Sequence, residues 1–133
     1  KKFLTSLPAL KKLVEAVKDK AQQKGYLVGL DKRRIPIRNA HAALNTLLQS
    51  AGALLAKKSM VIMREKIEAK GWKHRAQQVL WNHDEHQWDC EEAIADEVGK
   101  MQVEAYQEAG KYFNFRIPID GEYKVGMNWA DTH

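Results

Sequence analysis

The feature that most constrains the fold is a long run of helical periodicity over residues 39–70. Its apolar residues recur at three- and four-residue steps and share a narrow sector of a helix surface: Leu44, Leu47, Leu48, Ala51, Leu55 and Ile62. About thirty residues of helix are ~45 Å long, and Gly71 follows as a suitable end. A chain of 133 residues is about one domain long, so we expect a single core.

Shorter elements precede this helix. Over residues 3–24 an amphipathic pattern predicts a first helix that ends at Gly25, with an apolar stripe formed by Leu10, Val14, Val17 and Ala21. Residues 26–38 are YLVGLDKRRIPIR, where Gly29 and Asp31 interrupt two short β-like runs. That pattern predicts a hairpin, and Pro36 suits an edge strand because it cannot donate a backbone hydrogen bond.

The second half of the chain mixes both periodicities. AQQVLWNHDEHQWD predicts two short strands joined by a tight turn at residues 83–85. Asp89 is expected to cap a helix that runs to about Lys111, with a buried face formed by Ile94, Val98, Met101, Ala105 and Tyr112. Residues 113–119, FNFRIPI, are expected to form a strand. These patterns predict an α+β fold in which long helices flank a small, mostly antiparallel sheet.

The charge and the apolar content of the chain indicate what kind of partner it could bind. Lys and Arg number 22 against 17 Asp and Glu, and the net charge of +5 suits a polyanionic partner. No apolar run approaches the roughly 20 residues of a membrane span, and the N-terminus lacks the pattern of a secretory signal. We therefore expect no membrane partner and a cytoplasmic location. The single cysteine, Cys90, excludes an internal disulfide.

Asp84 and Glu85 stand side by side at the predicted turn. Adjacent like charges repel, so a cation that visits the turn would explain their pairing. Carboxylate oxygens are hard ligands of the kind that holds Mg²⁺, which takes waters and substrate phosphates as its other ligands. One carboxylate pair does not complete a two-metal site, because a further carboxylate normally comes from another strand. A solvated acidic turn is the alternative interpretation.

A zinc site is a competing interpretation of the same stretch. His83, His86 and Cys90 are zinc-ligand types at spacings of three and four residues. On a helix the three side chains would share one face and could close on one ion. In a strand, however, positions 83 and 86 point to opposite faces, so the β-like flanks argue against zinc.

The long helix carries a row of polar residues beside its apolar stripe. His41, Asn45 and Gln49 are four residues apart, and Gly52 continues the row. Amide side chains both donate and accept hydrogen bonds, which suits contacts with base edges in a minor groove. Gly52 would permit a close backbone approach. Ordinary boundary residues between core and solvent are the alternative.

Three segments together resemble a known family. RNAHAALNTLLQSAGALLAKK, a downstream strand that ends in HDE, and the terminal NWADTH are similar to the C-terminal part of family A DNA polymerases, in the branch of T-seven-type bacteriophage replicative enzymes. The resemblance covers essentially the whole chain. It implies an incomplete polymerase domain, in which residues 1–38 form the end of the fingers, a helix plus a hairpin. Residues 39–133 would form a palm part that carries the HDE motif and a C-terminal tail.

The resemblance also implies roles for individual residues. Asp84 matches a palm aspartate that binds Mg²⁺ ions shared with residues outside this chain, and Glu85 matches a supporting acid. His83 matches a residue near the primer terminus, while Asn45 and Gln49 match residues that follow the minor groove of the new duplex. Arg38 would add a phosphate or groove contact, and the basic residues 32–34 would supply charge near the backbone.

What the chain lacks limits its expected activity. Nothing in it resembles the family's first catalytic aspartate or the fingers helix that holds the incoming nucleotide, and Asn82 and His86 make the HDE strand more polar than is usual in the family. The implied partners are therefore an N-terminal polymerase polypeptide, primer-template DNA and a dNTP. We expect this chain to be inactive alone, as the C-terminal portion of a split or cleaved polymerase. A non-catalytic fragment that binds duplex DNA is the alternative.

Overall fold

The structure, a computed structural model, describes residues 6–132. Its elements in chain order are helix α1 (Pro8–Lys24), strands β1 (Tyr26–Val28) and β2 (Arg34–Pro36), a 3₁₀ turn (Ala40–Ala42), helix α2 (Ala43–Ala69), strands β3 (Ala76–Asn82) and β4 (Glu85–Cys90), a second 3₁₀ turn (Glu92–Ile94), and helices α3 (Ala95–Tyr112) and α4 (Trp129–Thr132). The predicted α+β class is confirmed. Among these helices none is long and apolar enough to cross a membrane.

The chain divides into two compact units, one up to Leu54 and the other from Leu55 onward. Each has its own cluster of buried residues, so the expectation of a single core is wrong. The division falls just after residues 50–53, SAGA, where α2 has no large side chain to bury. The two clusters therefore form on either side of this small-residue stretch of the sequence.

The first unit contains α1 and the β1–β2 hairpin. α1 begins at Pro8 and ends at Gly25, whose φ of 71° is left-handed and whose N–H donates to the Ala21 carbonyl at 2.9 Å. The predicted helix start at residues 3–5 lies outside the described residues. The two strands pair antiparallel, with Leu27 opposite Ile35. The small core of this unit consists of Ala21, Leu27 and Ala43, against which Val17, Ile37 and Leu47 pack.

The second unit is built from the C-terminal part of α2, the β3–β4 hairpin and α3. Its core draws on α2, β3, the second 3₁₀ turn and α3: Ile62, Met63, Ile67, Ala76, Ile94, Val98, Met101, Ala105 and Ala109. Lys66 of α2 forms ion pairs with Glu104 and Glu108 of α3, at 3.2 and 2.9 Å. Hydrogen bonding to Glu108, more than to Glu104, raises the pKa of Lys66, so the pairs persist at neutral pH.

The helix expected after the hairpin begins later than predicted. Asp89 does not cap it, because β4 continues to Cys90 and Asp89 pairs with Gln77 in the ladder. Glu91 precedes the 3₁₀ turn and makes no side-chain cap. The sequence signal was misleading because an acidic residue at the end of a strand resembles a helix cap when only the residue type is known.

Two residues predicted to be buried are exposed instead. Tyr112 is 62% exposed because it lies in the last turn of α3, where its ring contacts Phe113 and the Lys58 ammonium group rather than the core. Leu48 of α2 is 61% exposed in the first unit. The other predicted positions of the α3 face, at residues 94, 98, 101 and 105, are buried as expected.

Residues 113–119 do not form the predicted strand. Asn114 has a φ of 55°, and the Phe115 N–H donates to the Gly110 carbonyl at 3.0 Å, so the chain turns back at the end of α3. Two glycines of α3 allow the returning segment to lie close to the helix. A Cβ on Gly110 would be 2.7 Å from Ile119, and a Cβ on Gly99 would be 2.2 Å from the Tyr123 ring. The Tyr123 hydroxyl donates to Asp96 at 2.7 Å.

The second core predicts which substitution in α2 will affect stability. Met63 is fully buried, whereas Val61, two residues earlier, is 49% exposed. We expect Met63→Ala to lower the free energy of unfolding by about 2–5 kcal/mol, because it removes core contacts and leaves a cavity. Val61→Ala should change it by less than about 0.5 kcal/mol. Urea denaturation of the two variants measures the difference, and equal effects would contradict the assigned core.

Candidate functional site

The β3–β4 hairpin places the two acidic residues. Its antiparallel ladder ends with Asn82 opposite Glu85, so His83 and Asp84 form a two-residue turn. His83 has a φ of 54°, the sign that tight hairpin turns require at their first central position. The Trp81 indole N–H donates to the His83 carbonyl at 2.7 Å and fixes the approach to the turn. The predicted turn at residues 83–85 is confirmed to within one residue.

The ladder is irregular three residue pairs below the turn. Gln78 pairs with Trp88 and Leu80 with Gln87, so Val79 is an extra residue in β3. A bulge of this kind increases the local twist and redirects the strand that follows. Val79 is 63% exposed, which leaves the bulged part of β3 open to solvent in this unit.

Asp84 presents its carboxylate at the tip of this hairpin. The residue is exposed, and within residues 6–132 no Lys, Arg or His forms an ion pair with it. Its main-chain carbonyl accepts a hydrogen bond from the Tyr106 hydroxyl at 2.9 Å. The turn is therefore attached to α3 through its backbone, while the carboxylate remains available to a ligand.

Glu85 begins β4 and is only partly exposed. Its carboxylate accepts a hydrogen bond from the Gln87 amide on the same strand. The two adjacent acids thus differ: Asp84 points out from the turn, and Glu85 is tied to a neighbour. Both supply oxygen ligands of the type that Mg²⁺ prefers.

A group of aromatic and polar side chains lies beneath the turn. His86 of β4 stacks in a tilted arrangement on Tyr106, with ring centroids 5.3 Å apart. Its Nε2 is 3.4 Å from the Tyr106 hydroxyl oxygen. Trp88, two residues further along β4, donates from its indole N–H to the Gln102 amide oxygen at 2.9 Å. Burial lowers the pKa of His86 and raises the pKa of Tyr106, so both are neutral at physiological pH.

The predicted zinc ligands do not come together. In the part of the chain that the structure describes, no group of three or more His, Cys, Asp or Glu side chains could hold a metal ion. His83 lies in the turn, His86 packs on Tyr106, and Cys90 ends β4, where burial raises the pKa of its thiol. The zinc interpretation therefore has no ligand set here. Asp84 and Glu85 are only two ligands, so an ion bound by them needs further ligands from elsewhere.

Three of the predicted nucleic-acid contacts lie in the first unit, whereas the fourth, His83, lies in the hairpin turn of the second unit. Arg38, Asn45 and Gln49 are all exposed, the last two on one side of α2. His41 lies in the 3₁₀ turn before α2, where its backbone N–H donates to the Asn39 side chain at 2.9 Å. The polar row of the α-helix itself therefore starts at Asn45. A Cβ on Gly52 would meet nothing within 4 Å, so the surface beside this glycine is open.

Sequence reasoning missed the residues that support the turn. Tyr106 and Gln102 are four residues apart on α3, so they lie on one side of that helix. Polar residues next to the buried stripe of Val98, Met101 and Ala105 were the available signal. Which strand residue each would meet depends on long-range packing, and the sequence pattern does not contain that information.

Comparison with known proteins identifies the family. Residues 1–131 match the pattern of the family described as DNA polymerase family A. The DNA-directed DNA polymerases of Enterobacteria phage T3 and Escherichia phage T7 are each 36% identical to this chain over 155 residues, which include all of the chain and 22% of each relative. The DNA polymerase I of Bacillus caldotenax is 25% identical over 143 residues, with 98% of this chain and 16% of that protein covered.

A solved structure shares the fold. The POL domain of Pol1 from M. smegmatis, described as a complex with DNA primer-template and dNTP, aligns with a TM-score of 0.70 and 22% identity. The alignment covers 80% of this chain and 21% of that one. This chain belongs to DNA polymerase family A. It spans about a fifth of the length of the phage polymerases that it resembles.

The depressed pKa of His86 predicts how stability depends on pH. Burial in the folded chain disfavours the charged imidazole of His86. The unfolded chain therefore takes up this proton at a higher pH than the folded chain does. The contribution of neutral His86 to the free energy of unfolding is complete above the ordinary histidine pKa of about 6.5, and it is lost as the pH falls below that value. His86→Gln should weaken this dependence, as measured by thermal unfolding midpoints between about pH 8 and pH 5.

The matched control is His74→Gln, because His74 is exposed in a turn of the same unit. It should retain the pH dependence of the wild-type chain. If the His86 variant and the wild type lose stability in parallel on acidification, burial of His86 does not have the assigned effect.

Proposed function

We propose that this chain is the C-terminal portion of a DNA-directed DNA polymerase and that it contributes Asp84 to a Mg²⁺ site for nucleotidyl transfer. The observation that carries this proposal is the exposed Asp84 carboxylate, at a hairpin tip whose backbone is hydrogen bonded to Tyr106. An unpaired acid on a supported turn suits a ligand that comes from outside the chain. Membership of DNA polymerase family A makes template-directed polymerisation the reaction to test.

The ligands at the turn fit magnesium but are incomplete. Asp84 would bind the metal directly, and Glu85 would support it with added negative charge at the start of β4. When bound, two Mg²⁺ ions would favour the primer 3′-hydroxyl as nucleophile and offset charge on the leaving pyrophosphate. The missing ligands would come from an N-terminal polymerase polypeptide. This chain alone is therefore expected to be inactive.

The first unit would contribute contacts to primer-template DNA. Asn45 and Gln49 are exposed and adjacent on α2, and their amides can donate to the acceptors that every base pair presents in the minor groove. Arg38 would add a phosphate contact, and His83 would approach the primer terminus from the hairpin turn. These contacts would hold the duplex without reading its sequence, as a replicative enzyme requires.

We assign residues 1–38 to the end of the fingers and residues 39–133 to a palm part. The α1 helix and β1–β2 hairpin support the first assignment, and the β3–β4 hairpin with Asp84 at its tip supports the second. The dNTP would bind chiefly to the N-terminal polypeptide, since this chain lacks a fingers helix with the expected lysine, arginine and tyrosine.

The decisive variant is Asp84→Asn, which keeps the size of the side chain and removes its charge. Primer extension with Mg²⁺, after the rest of the polymerase is supplied, should fall at least ~100-fold, because charge stabilisation in the transition state is a large part of such catalysis. Asp89→Asn is the matched control, because Asp89 is an exposed acid of the same hairpin. It should extend primers at the wild-type rate. Full activity of the Asp84 variant would refute the proposal.

The groove contacts are tested separately by the double variant Asn45→Ala and Gln49→Ala. Each lost hydrogen bond is worth about 0.5–1.5 kcal/mol, so the pair should weaken duplex binding by roughly 5- to 160-fold. The dependence of affinity on salt should not change, because neutral amides release no counterions. Fluorescence anisotropy with a labelled primer-template measures both quantities.

Gln23→Ala provides the control, because Gln23 is an exposed amide on a different helix, α1. The alternative function is a non-catalytic fragment that binds duplex DNA. This alternative would be favoured if the double variant Asn45→Ala and Gln49→Ala loses duplex binding while Asp84→Asn leaves the activity of the assembly intact.

A further inference from the structure

A line of partly buried polar side chains runs beneath the candidate metal site, from Trp88 to Tyr106, which contacts the backbone of Asp84. At one end the Trp88 indole N–H donates to the Gln102 side chain at 2.9 Å. An indole can only donate, so the oxygen of the Gln102 amide must face it and the amide nitrogen must face away. This contact fixes the orientation of an amide that could otherwise adopt either of two positions.

The next pair in the line is Gln102 and His86. Gln102 Nε2 and His86 Nδ1 are both buried, and neither has a hydrogen-bond partner within the geometric limits. One is a donor, and the other is an acceptor when the ring is neutral and carries its proton on Nε2. The two atoms are chemically complementary, but they are not hydrogen bonded to each other.

This tautomer sets the direction of the remaining contacts. With its proton on Nε2, His86 donates to the Tyr106 oxygen, 3.4 Å away. The Tyr106 hydroxyl is then directed to the Asp84 carbonyl at 2.9 Å. His86 therefore donates to Tyr106, and Tyr106 donates to the Asp84 carbonyl.

We propose that Tyr106 is a positioning residue for Asp84, because its hydroxyl donates to the Asp84 carbonyl while its ring packs on His86. This inference rests on the proposed function of Asp84 as a metal ligand. Tyr106 does not touch the metal or the substrate. It holds the main chain from which the Asp84 side chain extends, and hydrogen bonds behind a ligand commonly tune metal affinity.

The arrangement explains why the turn can hold an exposed carboxylate in one place. Tyr106 comes from α3, whose neighbouring residues Met101, Ala105 and Ala109 are buried in the core of the unit. Ser59, fully buried on α2, interacts with the Tyr106 side chain and donates its own hydroxyl proton to Ala56. The residue that holds the turn thus comes from a helix that is packed into the core of the unit.

The test is Tyr106→Phe in the assembled polymerase, since phenylalanine keeps the ring on His86 and removes only the hydroxyl. The Mg²⁺ concentration for half-maximal primer extension should rise about 10-fold, or kcat should fall by a similar factor, with the KM for primer-template unchanged. Tyr112→Phe is the control, because Tyr112 is an exposed tyrosine at the end of the same helix. It should behave as the wild type in every measurement.

Two further arms distinguish the possible failures. If Asp84→Asn is inactive but Tyr106→Phe has the Mg²⁺ dependence and kcat of the wild type, the positioning role is wrong and the function stands. If Asp84→Asn is fully active, the proposed function itself fails. A lower thermal midpoint for Tyr106→Phe, without any change in Mg²⁺ dependence or kcat at lower temperature, would show a merely structural role and overturn the inference.

The tautomer of His86 gives an independent readout. In ¹⁵N-histidine-labelled polymerase, with the signal assigned by its loss in His86→Gln, long-range ¹H–¹⁵N spectra should show a neutral ring with the proton on Nε2. A proton on Nδ1 of His86 in the wild type would leave Nε2 as an acceptor that competes with the Asp84 carbonyl for the Tyr106 proton, and it would overturn the inference.

Discussion

The packing of α3 against α2 is the constraint on which the second unit depends. Met63, Ala105 and Ala109 are buried completely, and Lys66 joins Glu104 and Glu108 across the two helices. The small alanine side chains allow tight packing, and the ion pairs fix how the helices slide along each other. The hairpin needs this platform because two strands alone are marginally stable in water. Through Tyr106 and Trp88 it is attached to α3 at both its tip and its middle.

The elements themselves could be predicted from the sequence because their signals are local. The apolar periodicity of residues 39–70 and the stop at Gly71 correspond to α2, and the Val, Leu and Trp residues around HDE correspond to β3 and β4. These features depend on neighbours within about four residues along the chain. The polar Asn82 and His86 did not prevent the hairpin, because Asn82 is exposed beside the turn and His86 finds an aromatic neighbour on α3.

The errors share a different cause. Residues 113–119 have the composition of a strand, but they return along α3 and no strand of the described chain pairs with them. Asp89 resembles a helix cap, but the ladder with Gln77 extends past it. The Tyr106 contact with Asp84 joins positions 22 residues apart and has no local signature. In each case the residue type was interpreted correctly, but contacts with distant parts of the chain determine the structure. Only the folded chain shows which residues make those contacts.

The positive φ of His83 has a consequence for how substitutions at this position should be interpreted. Histidine, asparagine and aspartate enter the left-handed region more readily than most residues, whereas β-branched side chains are strongly disfavoured there. The backbone conformation therefore limits which amino acids are tolerated at position 83, independently of any contact with a primer. Under the proposed function a histidine here would satisfy both a backbone demand and a primer contact, and loss of activity after replacement by valine or isoleucine would mix the two. Asparagine, which tolerates the same backbone, separates the conformational demand from the chemical one.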